Sequence, residues 1–212
     1  MLENGYSMAM NLPSTDKHDR RIERTKHALL DAFLHLFFES GYEAMTVSDI
    51  ATRAGVGRST FYEHYKCKEA LLAESFQRPL GMVASVVDAV TSRDAESLRF
   101  QLEHFWQNRG KSRLLQATKA RRAMARILAA MIHERLIARD RTSGARTNKF
   151  GASLTAVAIA EFLLGTITAW LGGDVICDAP TFAENLRDLT QRMIATDATA
   201  GYCPEQIRAM SS

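Results

Sequence analysis

A chain of 212 residues, 46% of them hydrophobic, has enough apolar content for a sizeable core in one or two domains, which excludes a disordered chain. Its formal charge of +3 permits nucleic acid binding without requiring it. Three cysteines with no CxxC or Cys/His ligand spacing exclude a disulfide framework and a structural zinc site and fit a reducing cytoplasm.

Residues 1–19 lack the basic start and apolar run of an export signal, and are read as a mobile tail. From Ile22 almost to the C-terminus apolar residues recur three and four apart, which predicts an all-α fold. The first helix is expected from about Arg20 to Ser40, with Ile22, Leu29, Ala32, Phe33, Leu36 and Phe37 inward and Gly41 ending it. In "TVSD" Thr46 caps a second helix, with Asp49 completing an acidic capping box, and Val47, Ile50, Ala51 and Ala54 are its buried stripe. A glycine-bearing turn, Gly55-Val56-Gly57, joins it to a third short helix, so the pair reads as a helix-turn-helix. A fourth helix is expected over Lys68–Phe76, with Pro79 breaking or kinking it.

Further on, "GMVASVVDAVTS" and "ESLRFQLEHFWQNRG" read as helices, and "KSRLLQATKARRAMARILAAMIHERLIARD" as one long helix or two joined near Ala117–Ala120. Residues 152–171 are apolar nearly all round. Glu161 and several hydroxyl residues argue against a membrane span, so this helix must be covered by its own core on one side and by a partner on another. A capping box of Thr181 with Glu184 is expected to open the last helix.

The third helix explains itself on a helical wheel. Phe61 and Tyr65 point inward, which turns Tyr62 and His64 to the two flanks, each about 80° from the inward direction. Arg58, Ser59 and Thr60 stand at its N-terminal entrance. An apolar back, hydrogen-bonding flanks and polar residues at the entrance are what a helix lying in a DNA major groove needs. "TVSDIATRAGVGRSTFYEHYKCKEALL" resembles the DNA-binding signature of the TetR family of bacterial transcriptional regulators, and the resemblance spans Arg20 to about Phe76. It implies phosphate contacts by Thr46, Tyr62, His64 and Lys68, and base or backbone contacts by Arg58, Ser59 and Thr60. Cys67 stands where the family usually has serine or asparagine; it reads as a small substitute, with a redox switch as the alternative.

The resemblance implies three segments: the tail 1–19, a DNA-binding domain over 20–76, and a helical effector-binding and dimerisation domain over 77–212. The implied function is a cytoplasmic regulator, a repressor released from a palindromic double-stranded operator by a small-molecule effector, with no cofactor. The alternative is a DNA-binding factor of the same build without a small ligand. Phe105, Trp106, Met124, Met131, Phe162 and Trp170 are candidates to line an effector cavity, with Arg121, Arg122 or Arg109 pairing an anionic effector. Ala158, Gly165 and Ala169, with Leu186, Leu189 and Met193 of the last helix, are candidates for a homodimer interface. No phosphate loop, dinucleotide fingerprint or nucleophile constellation points to an enzyme.

Overall fold

The computed structural model describes residues 15–88, 92–110, 118–143 and 149–199, and among these every regular element is helical. The order is α1 (Thr15–Ser40), α2 (Val47–Arg53), α3 (Arg58–His64), α4 (Lys68–Ala84) with a 3₁₀ turn over Ser85–Val87, α5 (Ser92–Gln107), α6 (Thr118–Ser143), α7 (Lys149–Gly172) and α8 (Ala179–Thr199). α1 begins five residues earlier than the apolar periodicity marked, because its first turns are polar and carry no stripe to read. Ile22, placed in that stripe, is 38% exposed; full burial starts at Leu29, and the turns before it meet α4 through the Lys26–Glu74 ion pair.

α4 departs further from expectation. Pro79 lies inside it, and the helix continues to Ala84 instead of breaking. Proline removes only the hydrogen bond to the carbonyl four residues back. Leu80, Val83 and Ala84 on the next turn are buried, and their packing holds the helix together across the defect. The segment read as a separate helix from Gly81 therefore begins as the end of α4 and continues into the 3₁₀ turn, while its residues 89–91 lie outside the described ones. Arg135 of α6 pairs with Asp88 and donates to the Gly81 carbonyl, while Gln191 of α8 donates to the Val86 carbonyl, so this turn is tied to two other helices.

α6 and α7 form the most extensive helix pair, joined also by Arg121–Glu161 at 2.8 Å. By length and composition α7 could cross a membrane. Here Ile159, Leu163 and Trp170 are fully buried inside the protein, and Thr166 and Thr168 donate back to the Phe162 and Leu164 carbonyls. Gly173, at φ 90°, takes the left-handed conformation that ends the helix, with its N–H bonded to the Trp170 carbonyl and that of Asp174 to the Ala169 carbonyl. α8 opens two residues before Thr181. Its cap is Asp178, which accepts from the Thr181 N–H at 2.9 Å, and Pro180 sits in the first turn, where a missing N–H costs nothing. That hydrogen bonding holds the Asp178 carboxyl below its ordinary range, the Thr181 side chain being the larger cause and its backbone N–H the second.

One buried cluster runs from Leu29 to Leu186 without a gap between the helix-turn-helix and the helices behind it. The boundary read at residues 76 and 77 falls within α4.

Candidate DNA-binding site

Thr46 accepts from the Asp49 N–H at 3.2 Å while Asp49 Oδ2 accepts from the Thr46 N–H at 2.8 Å, so both halves of the capping box are made. The Thr46 hydroxyl donates to the same carboxylate oxygen at 2.7 Å, which commits its proton inside the box. Asp49 is correspondingly held below the usual carboxylate range, by the Thr46 side chain first and its backbone second.

The turn after α2 is a Schellman motif. The Gly55 N–H bonds the Thr52 carbonyl at 3.1 Å and the Val56 N–H bonds the Ala51 carbonyl at 2.9 Å, with Gly55 at φ 68°. This conformation would strain any residue with a Cβ, and it lets Val56 tuck against the core two residues before α3 begins. Gly57 caps α3 with extended backbone. Phe61 is fully buried and Tyr65 nearly so, with ring centroids 5.9 Å apart. Tyr62 is 50% exposed; Arg58, Ser59 and Glu63 are exposed, and Thr60 and His64 half-buried. The section read from the wheel is present: a buried aromatic back, a tyrosine on one flank, a histidine on the other, and arginine and serine at the entrance.

Lys68 stands differently from its neighbours. Its ammonium donates to the carbonyls of Tyr42 and Met45, both at 2.7 Å, and lies 4.2 Å from the centre of the Tyr42 ring. Burial lowers its pKa. Two of its three N–H donors thus tie the α1–α2 loop to the start of α4, and sequence reasoning missed this because Tyr42 and Met45 are more than twenty residues away. Cys67 is exposed and caps α4. Arg53 of α2 makes a two-pronged pair with Glu39 of α1 at 2.7 and 2.8 Å.

Residues 29–75 match the model of the tetR family of bacterial regulatory proteins. The chain is 27% identical over 172 residues, 76% of its length, to a putative mycofactocin biosynthesis transcriptional regulator of Mycobacterium tuberculosis, and covers 86% of that protein. The solved structure of a TetR transcriptional regulator from Streptococcus agalactiae superposes with a TM-score of 0.57 at 25% identity, covering 84% of this chain and 99% of the other. On these likenesses the chain is similar to regulators of the TetR family. It is a DNA-binding transcriptional regulator of helix-turn-helix type. A stronger but shorter likeness, 42% over 74 residues, joins it to the HTH-type regulator YxbF of Bacillus subtilis; it spans 34% of this chain and only 19% of YxbF.

Most of the residues read as lining an effector cavity meet one another in the core. Trp106 and Trp170 stack at 4.8 Å, and Trp170 on Phe182 at 4.4 Å, as part of a filled core that also buries Met124; Met131 and Phe162 pack against that core. Arg109 lies over the Trp106 ring, and Arg122 is exposed. A large cleft lies elsewhere among the described residues, between α1, α4 and α5, and of these candidates only Phe105 borders it.

The interface candidates divide as well. Leu186 is buried within the chain, and Gly165 faces the Arg121 side chain of α6. Ala169 is half-buried and Met193 packs partly into the core. Ala158 and Leu189 are exposed, and so are Leu154 (62%) and Val157 (52%), which the sequence reading did not select. Among the described residues no group of three His, Cys, Asp or Glu side chains is placed to hold a metal.

Proposed function

We propose that the protein is a homodimeric repressor that reads a palindromic operator with two copies of α3 and is released by a small-molecule effector bound by the helices behind residue 76. The observation that carries this reading is the cross-section of α3: buried Phe61 and Tyr65, exposed Tyr62, and Arg58 and Ser59 at an open N-terminal entrance. In the groove Tyr62 and His64 take phosphates on opposite walls, Arg58 donates to a base edge, and Ser59 and Thr60 sit beside it. Thr46 faces the backbone from the start of α2. Lys68 keeps one N–H for a phosphate, and its larger part is to hold the α1–α2 loop in place.

The exposed apolar residues Leu154, Val157 and Ala158 on α7, together with exposed Leu189 on α8, support dimerisation. Two such helix pairs across a two-fold axis make a four-helix contact, and the axis spaces the two α3 helices for two half-sites. An effector that prefers a subunit arrangement with another spacing lowers operator affinity by the same coupling free energy.

The test is selection of bound sequences from randomised duplexes with the purified full-length protein, followed by sedimentation. Inverted repeats and a dimer at micromolar concentration are expected. Isolated half-sites bound by a monomer would sink the dimeric reading.

A further inference from the structure

A cleft of about 1020 Å³ opens between the C-terminal half of α1, the middle of α4 and one face of α5. Its walls are apolar and rich in aromatics, with Leu34 and Phe38 from α1, Phe76 and Met82 from α4, and Phe100 and Phe105 from α5. Two polar groups stand on these walls. Gln101 borders the cleft while only 6% exposed. Ser75 Oγ, on the facing wall of α4, is buried and has no hydrogen-bond partner among the described residues. Pro79 also deprives the Ser75 carbonyl of its usual helical donor. A buried hydroxyl left unpaired is costly, so its presence on a cleft wall calls for a ligand group to meet it.

We propose that this cleft binds an uncharged, largely apolar small molecule, held by a carbonyl, hydroxyl or amide group that hydrogen-bonds Gln101 with Ser75 opposite. The absence of charge follows from the lining, which carries two cations, Arg78 and Arg99, and two anions, Glu96 and Glu103, along with His104. Neither an anion nor a cation gains a net partner there, and each would lose its hydration among the phenylalanines. The site deepens the effector reading and rests on it for its consequence, since a ligand here touches α1 of the DNA-binding half and α5 of the other half at once.

The test uses full-length protein and defined probes. The neutral dye N-phenyl-1-naphthylamine should brighten on binding at one molecule per chain, and its anionic relative 8-anilino-1-naphthalenesulfonate should bind at least tenfold more weakly. In competition against the neutral dye, benzophenone should outcompete diphenylmethane, the same skeleton without the carbonyl, by about tenfold, as one hydrogen bond implies. Gln101→Met should erase that preference while retaining the fold by circular dichroism, and Met82→Trp, which fills the cleft, should abolish dye binding. A carbonyl preference that survives Gln101→Met, or equal binding of the two dyes, overturns the site. So does a change of sedimentation by Phe100→Glu in a protein that binds neither dye, because the cleft is then covered by a second copy. Operator affinity is measured in parallel. Gln101-dependent benzophenone binding with operator affinity unchanged upholds the site and removes the effector reading.

Discussion

The α2–α3 unit and the α7–α8 pair both depend on apolar burial, yet they are specified in opposite ways. Between Thr46 and Tyr65 each structural decision is made within about five residues: a capping box, a Schellman turn, a glycine cap, and two aromatics one turn apart. α7 has no such punctuation along its length. Apolar residues cover it nearly all round, so its own sequence does not say which side meets α6 and which faces outward. Local rules fix the DNA-reading unit, and long-range packing fixes the other.

The strongest way to break the first region is from behind. Phe61→Ala removes the buried support of α3 and should cost about 3–5 kcal/mol, read as a fall in the urea midpoint together with loss of DNA binding. The corresponding blow to the second region is Val157→Glu. If the exposed apolar residues of α7 are the subunit contact, an unpaired carboxylate buried there costs about 3 kcal/mol or more and should turn dimer into monomer in sedimentation, with operator affinity down about 100-fold. A Val157→Glu protein that still sediments as a dimer places the contact elsewhere.

Smaller changes sharpen the contrast. Tyr62→Phe should weaken binding to all duplexes alike by about 1 kcal/mol, whereas Arg58→Ala should relax preference at one or two base positions by about 1–3 kcal/mol; identical selected sequences from both variants would deny Arg58 a base. Lys68→Met removes the tie to Tyr42 and Met45. It should lower stability by about 1–2 kcal/mol while leaving most of the salt dependence of DNA binding in place, since two of the three N–H groups already point inward. The smallest effect concerns pH. Asp49 has a lowered folded-state value, so its stabilisation is fully present above the ordinary carboxylate range and is lost as pH falls through that lowered value. Acid unfolding of Asp49→Asn should be flatter over this window than that of the unaltered chain.

Legibility followed the same division. The cap at Thr46, the turn at Gly55 and the inward pair Phe61 and Tyr65 were readable because their partners are near neighbours in sequence. The cap of α8 was misread because two signals compete there, and Asp178 placed before Pro180 prevails over Thr181. The inward commitment of Lys68 could not be read, because it depends on carbonyls brought close only by folding. Nor could the cleft, whose walls come from four helices. Leu154 and Val157 were indistinguishable from Ile159 and Leu163 until α6 covered one side of α7.

The stack of Trp106, Trp170 and Phe182 has a consequence for spectroscopy. It holds both tryptophans of the chain, with Trp170 Nε1–H donating to the Cys177 carbonyl at 3.0 Å. Intrinsic emission excited at the red edge of absorption therefore reports one spot, where α5, α7 and α8 meet. Unfolding followed by that signal records the loss of this junction and is blind to fraying of α2 and α3. Placing a third indole at Tyr62 would give the DNA-reading end a voice of its own, and a lag between the two signals would measure how far the continuous core makes both ends melt together.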